Sequence, residues 1–398
     1  MKGTQLSWLL ILCCFFLTGC WDRFELEERA NILGLAIDYV EHAEFKEPEV
    51  THRYGEFPDE DIKRIKVTAQ IAIPGKIKLG PEGGGGQGSE KTAWVLETYA
   101  HTFNDAVANL QQQLAEKIYL GHLQIVVISE DVARDGVNDI NEYLRRNHEV
   151  RRTAWMVVTG EDAAKTLQVA PPLETVPGLY LSDTLKNAVR FGKLPREYLG
   201  KFWIDLADDG IDASIPFVKP IEKDRILIDG MTYFDNDKMV GKTDPLGISA
   251  YMSLKEKNPG GQTVTVGVNN TVYMVQSRER KSKIKVDVKD GKPTSAINVE
   301  IDAEVTEQVK GNKLSEDTLS KIEKKMAEEA TKSFNQFIKQ IQDDGSDVIG
   351  FGARIRAKYD SYWAKNIKTA EDWTKAYQEM DVKVTVKYNL KRAGMDYK

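Results

Sequence analysis

The thiols carry the most distinctive chemistry of this sequence, and all of them lie at its start. Cys13, Cys14 and Cys20 fall within the first twenty of 398 residues. Lys2 precedes an unbroken apolar run, WLLILCCFFL, at residues 8–17. A bilayer-spanning helix needs roughly 20 apolar residues, whereas a signal-peptide core needs about 7–15. The run therefore predicts a signal peptide rather than a membrane span.

Cys20 ends the segment Leu17-Thr18-Gly19-Cys20, which resembles the lipobox of bacterial lipoproteins. In such proteins the thiol after a small residue receives a diacylglyceryl group, and the peptide is cut just before it. The alternative is an ordinary signal peptide that leaves a buried or free thiol. The lipid interpretation is preferred because it explains both the position and the isolation of Cys20. Since two or more acyl chains hold a protein stably at a membrane, we predict an extracytoplasmic lipoprotein anchored through Cys20.

The composition restricts the class of protein. Loss of the signal peptide, residues 1–20, removes one positive charge and moves the formal net charge from −6 to −7. Nucleic-acid-binding proteins normally show a basic face or stripe, so nucleic acid is excluded as a partner. Acylation of Cys20 would leave no free thiol, and folding must rest on burial alone. With 41% apolar residues, the chain can bury a large core, and its length predicts two or three domains.

Two motifs begin like catalytic or cofactor sites and then depart from them. Residues 83–88 have the glycine spacing of a phosphate loop, but residues 89–90 are Ser-Glu where Lys-Ser/Thr is required. His148 and Glu149 start like a zinc-binding helix, but Arg152 replaces the second histidine and would oppose a metal ion. The other histidines have no partners at ligand spacing: His42, His52, His101 and His122. We therefore predict no catalytic residue, no cofactor and no metal site.

Two charged stretches have alternative interpretations. Asp208, Asp209 and Asp212 could bind a hard cation through oxygen ligands, but their spacing is not that of a calcium loop, and a solvated turn is preferred. A basic stretch could meet anionic lipid headgroups. Because apolar residues alternate with it, it also fits the polar face of one sheet strand. The stretch comprises Arg278, Arg280, Lys281, Lys283, Lys285 and Lys289.

The hydrophobic periodicity predicts an α+β fold with three mixed α/β domains. In an N-terminal α/β domain, residues 21–170, strands alternate with helices, one from Phe103 with helical spacing to Ile118 and one over about 131–147. Prolines at residues 169–178 predict the domain boundary.

Residues 171–260 form the predicted middle domain, which contains a hairpin that turns at Asn236-Asp237. The predicted C-terminal α+β domain, residues 261–398, has a largely antiparallel sheet packed against a long helix at about 316–341. Its strands are expected at 263–276, 282–289, 295–305 and 382–390, with a turn at Asp290-Gly291.

Together these residues resemble the Ger(x)C family, the lipoprotein C subunits of nutrient germinant receptors in spore-forming bacteria. The resemblance covers nearly the whole mature chain and is strongest at residues 19–23 (GCWDR), 121–128 (GHLQIVVI) and 347–352 (DVIGFG), the last followed by Trp363 and Trp373. The sequence departs from the family pattern at Phe24, at Asp360 and in the glycine loop at 83–88.

The resemblance implies three α+β domains on the outer face of the inner spore membrane, working with two integral-membrane subunits of the A and B types. It does not imply an enzyme. For the signature residues we expect packing roles, with Gly350 and Gly352 permitting a tight bend and Trp363 and Trp373 covering the sheet.

Two functional hypotheses follow. The first is a lipid-anchored, non-enzymatic receptor subunit that helps the membrane partners assemble or signal. The alternative is an extracytoplasmic lipoprotein that binds a small ligand itself, since a multidomain layout permits a cleft. An extracytoplasmic hydrolase rests only on scattered carboxylates and is disfavoured because each catalytic motif fails.

Overall fold

A computed structural model describes most of the chain after the predicted signal peptide. It covers residues 29–41, 44–47, 63–73, 92–172, 174, 176–222, 224–255, 258–309 and 314–392. Cys20 and the glycine loop at 83–88 lie outside these residues, so their predicted roles stay predictions.

The first half of the structure alternates strands and helices. Its elements are β1 (Arg29–Val40), β2 (Arg64–Ala72), β3 (Ala93–Ala100), α1 (Phe103–Gln112), β4 (Lys117–Tyr119), β5 (Ile125–Ser129), α2 (Glu130–Asp135), α3 (Asn138–Arg146), β6 (Trp155–Thr159), α4 (Ala163–Leu167), α5 (Pro177–Arg190) and α6 (Leu199–Leu206). They continue with β7 (Ser214–Ile221), β8 (Arg225–Asp235), β9 (Lys238–Lys242) and α7 (Pro245–Lys255).

The second half builds a smaller sheet beside a long helix. Its elements are β10 (Asn258–Pro259), β11 (Thr263–Val268), β12 (Thr271–Lys289), β13 (Lys292–Val309), α8 (Glu316–Asp343), α9 (Phe351–Lys358), α10 (Asp360–Asn366), α11 (Ala370–Gln378) and β14 (Asp381–Arg392). The predicted α+β class, with a C-terminal sheet on a long helix, is confirmed.

The first sheet has nine strands in the order β3-β2-β1-β5-β6-β7-β8-β9, with β4 beside β1. Its centre is parallel and both margins are antiparallel. The central strands β5 (IVVIS) and β6 (WMVVT) are continuous apolar runs because helices cover both of their faces. Helices α1, α2, α3 and α6 pack on one face, and α4 and α5 pack on the other.

The predicted division into three domains is not confirmed. Strand β6, before the expected boundary at residue 170, pairs in parallel with β7 after it, and β8 and β9 extend the same sheet. The predicted N-terminal and middle domains therefore share one sheet, and the described strands form two sheets in all. One hydrophobic cluster runs from Val127 of the first sheet to Ile297 of the second and Ile322 of α8.

Two predicted helices differ from those observed. Thr102 caps α1 as expected, its Oγ1 accepting from the Asp105 N–H at 3.1 Å. The helix nevertheless ends at Gln112, because the Gln111 side chain accepts from Ile118 N–H at 2.8 Å and turns the chain into β4. The helix predicted over 131–147 is divided into α2 and α3 at Gly136, whose φ of 131° is incompatible with a helix.

The second sheet has the order β10-β12-β13-β14, with β11 also paired to β12. The predicted turn at Asp290-Gly291 is confirmed, with φ values of 50° and 76°. Strand β14 lies parallel to β13 at the sheet edge. Side chains of α8 accept from its backbone N–H groups: Asn335 from Val384, Thr331 from Val386 and Glu323 from Leu390. Helix α8 thus covers an edge that could otherwise pair with another strand.

Candidate functional site

The histidine-containing motif is a structural turn. The Glu149 carboxylate accepts from the Leu120 N–H at 3.0 Å, while its own N–H donates to the Asn147 side chain at 2.9 Å. His148 is exposed. Partial burial and the charges of Arg151 and Arg29 lower the pKa of His122. In the part of the chain that the structure describes, no three His, Cys, Asp or Glu side chains form a group that could hold a metal ion.

The three aspartates of the 208–212 loop do not converge. Both carboxylate oxygens of Asp208 accept from Arg356 Nη2 at 2.8 Å, 148 residues away in sequence. Asp209 is exposed, and Asp212 Oδ2 accepts from the Asp347 N–H at 2.6 Å. The predicted solvated turn is therefore wrong for Asp208 and Asp212, which fasten this loop to the C-terminal part of the chain.

Asp347 is fully buried, and its carboxylate accepts from three backbone N–H groups at the start of α9. Its Oδ1 accepts from the N–H groups of Gly350 and Phe351 at 2.8 and 3.0 Å. Its Oδ2 accepts from the Gly352 N–H at 2.8 Å and from Trp373 Nε1 at 3.1 Å. Three of these donors are N–H groups at the start of α9, which have no acceptor within the helix. Burial raises the pKa of Asp347 to about 7, although these four donors favour the ionised carboxylate.

The backbone of the 208–212 loop lies very close to that of residues 347–353. Asp212 N–H donates to Asp347 O at 3.1 Å, and Ala353 N–H donates to Gly210 O at 2.7 Å. A Cβ atom on Gly352 would lie 2.6 Å from Trp373 Cε2 and 2.8 Å from Gly210 Cα. Glycine is required at position 352 by this contact. We call residues 208–212 and 347–356, together with Trp373, the sheet junction, because they join the first sheet to the second.

The signature residues take the packing roles expected for them, with one refinement. Gly350 lies in the left-handed region at φ 77° and forms the predicted bend before α9. Gly352 is helical and serves the close contact instead. Trp373 is buried beside Asp347, with its ring 5.3 Å from that of Trp363, and both pack on the hydrophobic cluster of the second sheet.

The basic stretch is mostly an exposed face of the second sheet. Lys281, Lys283 and Lys285 are exposed on β12, and the sheet register aligns Lys285 with Lys383 of β14. Arg280 does not belong to this face, and its inclusion in the predicted stretch was wrong. Its side chain is 1% exposed, and its Nη2 donates to Gly192 O at 3.0 Å and Pro259 O at 2.9 Å.

Burial lowers the pKa of Arg280 to about 10.

Among the described helices, none combines the length and the apolar character needed to cross a bilayer.

Two family profiles match the chain over most of its length. Residues 22–220 match the spore germination protein N-terminal domain, and residues 229–394 match the spore germination B3/GerAC-like C-terminal domain. The chain belongs to the GerAC-like family of spore germination proteins. The first profile ends in β7 and the second begins in β8, and these two strands are neighbours in the first sheet, so the boundary coincides with no break between sheets.

Spore germination proteins of Bacillus match most of the chain. The chain is 23% identical to spore germination protein KC of Bacillus subtilis (strain 168), over 99% of this chain and 97% of that protein. It is 23% identical to spore germination protein GerQC of Bacillus cereus, over 84% of this chain and 93% of that protein. The crystal structure of the GerBC protein has a similar fold, with a TM-score of 0.55 and 17% identity over 83% of this chain and 94% of that one.

Sequence reasoning missed the partners of the junction residues. The resemblance singled out Asp347, Gly350, Gly352 and Trp373 without relating them to the aspartate loop. A local signal exists for Asp347 alone, since an aspartate just before a helix start is a typical capping residue. The partners Asp208 and Arg356 are separated by 148 residues, and local sequence patterns do not predict contacts over such a separation.

Proposed function

We propose that this chain is the lipid-anchored, non-enzymatic C-type subunit of a spore nutrient germinant receptor. It is held on the outer face of the inner spore membrane by acyl chains on Cys20. There it works with two integral-membrane subunits, of the A and B types, and is needed for the receptor to assemble or signal. The observation that carries the proposal is the pair of family matches, which begin at residue 22, two residues after Cys20, and extend to residue 394.

The structure supports a scaffold role through the sheet junction. The close approach of Gly210 and Gly352, a buried carboxylate with four donors and the Asp208–Arg356 ion pair connect the loop before β7 to the start of α9. Connected in this way, the two sheets can present surfaces to membrane partners, as the proposed scaffold role requires. The exposed lysines of β12 and β14 supply one such surface.

The anchor is tested by fatty-acid labelling of two cysteine variants. Cells making the wild-type chain, Cys20→Ala or Cys14→Ala are grown with labelled palmitate, and the purified proteins are compared. We expect label on the wild type and on Cys14→Ala, whose thiol leaves with the signal peptide, and none on Cys20→Ala. Label that persists on Cys20→Ala would show that the acyl chains are attached elsewhere.

The alternative function, binding of a small ligand by the lipoprotein itself, is favoured by one specific observation. A cavity of about 550 Å³ lies beside the junction, and Glu197, Arg196 and Arg354 are among the residues that line it.

A further inference from the structure

A second cavity lies where the parallel strands β1 and β4 begin. Its volume is about 560 Å³. Three separate segments line it: Arg29, the three residues of β4 with Gly121, and the turn that contains His148, Glu149 and Arg151. A cavity of this volume can hold a small molecule or the headgroup of a lipid.

Arg29 and Lys117 are neighbours in this cavity. They are register partners at the first positions of β1 and β4, and paired strands lie about 4.8 Å apart. Tyr119 lies two positions further along β4, on the same face as Lys117, and its ring centre is 4.6 Å from Arg29 Cζ. The guanidinium group of Arg29 is therefore held against the Tyr119 ring, beside Lys117.

His122 relates a third cation to the same cluster. Its ring centre lies 5.6 Å from that of Tyr119. Burial and the positive charges of Arg151 and Arg29 lower the pKa of His122, and such an effect requires that both guanidinium groups lie close to this imidazole. The fold therefore brings Arg29 and Arg151, which are distant in sequence, to one place.

The acidic group in the lining is already engaged. Glu149 is the one acidic residue among the described residues that line this cavity, and its Oε2 accepts from the Leu120 N–H at 3.0 Å. Arg151 is exposed and forms no ion pair within the described part of the chain. Because neighbouring cations repel one another, a bound anion would stabilise this arrangement.

The lining favours a compact anion with several oxygen atoms. Ile118 is the one aliphatic side chain among the described residues of the lining, so a long hydrocarbon group would gain little burial here. Guanidinium groups form parallel hydrogen bonds with phosphate oxygens, and a lysine adds a compact positive charge. Two arginines and a lysine therefore match a phosphate group better than an organic acid with a hydrocarbon tail.

We propose that this cavity binds a phosphate group, with Arg29, Lys117 and Arg151 donating to its oxygen atoms. The phosphate belongs either to a membrane phospholipid or to a free phosphorylated molecule. Arg29 follows Cys20 by nine residues, which span at most about 30 Å, so a chain anchored at Cys20 would keep the cavity near a bilayer surface. The inference goes beyond the proposed receptor role, and the chemistry of the cavity does not rest on it.

Calorimetric titration of the mature polypeptide, residues 21–398, tests the ligand chemistry at low salt. This chain retains every described residue. The probes are inorganic phosphate, glycerol phosphate, uncharged glycerol, and dihexanoylphosphatidic acid below the concentration at which it forms micelles. We expect saturable binding of at least one phosphate compound and none of glycerol.

The affinities also distinguish the two sources. Tighter binding of the phosphatidic acid than of glycerol phosphate would support a phospholipid headgroup, and equal binding would support recognition of the phosphate alone. Absence of saturable binding for all three phosphate compounds would overturn the proposal.

Two pairs of variants test the residues. Arg151→Gln and Lys117→Gln are each expected to weaken binding of the phosphate compounds by at least about tenfold. Their controls are Arg190→Gln and Lys193→Gln, which remove the same charges at exposed positions outside the cavity, and these are expected to bind like the wild type. Arg151 and Lys117 are exposed, so their variants should fold. Equal affinities in all four variants would overturn the proposal.

NMR titration of His122 tests where the anion binds. A phosphate group in the cavity places negative charge near His122 and should raise its pKa. We expect this rise in the wild type at saturation with the tightest-binding phosphate compound. Arg151→Gln should raise the pKa of His122 without any ligand, because one of the nearby positive charges is lost. An unchanged pKa of His122 in the saturated wild type would place the anion elsewhere and overturn the assignment.

Discussion

The main-chain N–H of Asp347 donates to Asp212 Oδ2 at 2.6 Å, and the N–H of Asp212 donates to the carbonyl oxygen of Asp347 at 3.1 Å. Two segments 135 residues apart therefore pair as closely as neighbouring strands. The exchange brings the loop before β7 against the start of α9. The other contacts of the sheet junction lie around this pairing, and several measurements can test them.

Gly352→Ala is expected to destabilise the fold. The new Cβ would lie 2.6 Å from the Trp373 ring and 2.8 Å from Gly210 Cα, and buried backbone has little room to move. Overpacking of this kind costs about 1–3 kcal/mol of unfolding free energy. Gly267→Ala is the control, because its Cβ would meet only Thr271 O at 4.0 Å. Urea unfolding that gives equal midpoints for both variants would contradict the close contact.

Trp373→Phe tests the hydrogen bond from Trp373 Nε1 to the buried Asp347 carboxylate. The change keeps an aromatic ring but removes Nε1, which donates to Asp347 Oδ2 at 3.1 Å. Hydrogen bonds to charged groups contribute about 1.5–3 kcal/mol, and we expect a loss of this size. Trp94→Phe makes the same replacement at a residue that is 45% exposed and should change the unfolding free energy by less than about 0.5 kcal/mol. Similar losses in the two variants would argue against the hydrogen bond.

The carboxyl groups of Asp212 and Asp347 should make the stability of the fold depend on pH. Burial and the charge of Asp347 raise the pKa of Asp212 to about 8, and burial raises that of Asp347 to about 7. The unfolded chain releases these protons near the ordinary aspartate pKa of about 3.9. The folded chain binds more protons between these values, so the contribution of the pair to unfolding free energy falls as pH rises from about 4 to 8.

Asp212→Asn should weaken that dependence. The amide oxygen can still accept from the Asp347 N–H, but one titrating group and its repulsion are lost. We expect the slope of unfolding free energy between pH 5 and 8 to become less negative by about 1 kcal/mol per pH unit or less. Urea titrations at several pH values measure the slope, and Asp209→Asn, exposed in the same loop, serves as control. Identical slopes in wild type and Asp212→Asn would refute the raised pKa.

Arg280 and Lys283 lie on the same strand and should respond differently to replacement by methionine. Arg280→Met leaves the carbonyl oxygens of Gly192 and Pro259 without their buried donor and is expected to cost about 2–4 kcal/mol. Lys283 is exposed, so Lys283→Met should change the unfolding free energy by at most about 0.5 kcal/mol. Equal unfolding midpoints for the two variants would contradict the role of Arg280 as a buried donor.

Local signals in the sequence predicted local structure well. The turn at Asp290-Gly291 follows from residue types that tolerate positive φ, and the long amphipathic pattern predicted α8. A similar turn at Asn269-Asn270, with φ values of 52° and 60°, divides the strand predicted at 263–276. Two adjacent asparagines favour such a turn. The prediction followed the alternation of polar and apolar residues around them, which favours one continuous strand.

Such local patterns did not predict which strands pair when they are distant in sequence. Prolines at 169–178 indicated a domain boundary, yet the strands on either side of them are neighbours in one sheet. Alternation along β12 places the neighbours Arg280 and Lys281 on opposite faces of the sheet, and Arg280 is buried while Lys281 is exposed. This local signal was missed when all the basic residues of the stretch were assigned to one face. The partners of the junction aspartates, like the pairing of β6 with β7, depend on tertiary structure.

The receptor role is tested most directly by nutrient-triggered release of dipicolinate from spores that lack this chain. The strain also lacks its other family members, so that redundancy is removed, and one of its two versions has the wild-type chain restored. We predict that the restored chain recovers the response to at least one nutrient, while a non-nutrient trigger acts equally on both versions. An identical response to every nutrient tried, with and without the chain, would contradict the proposed function.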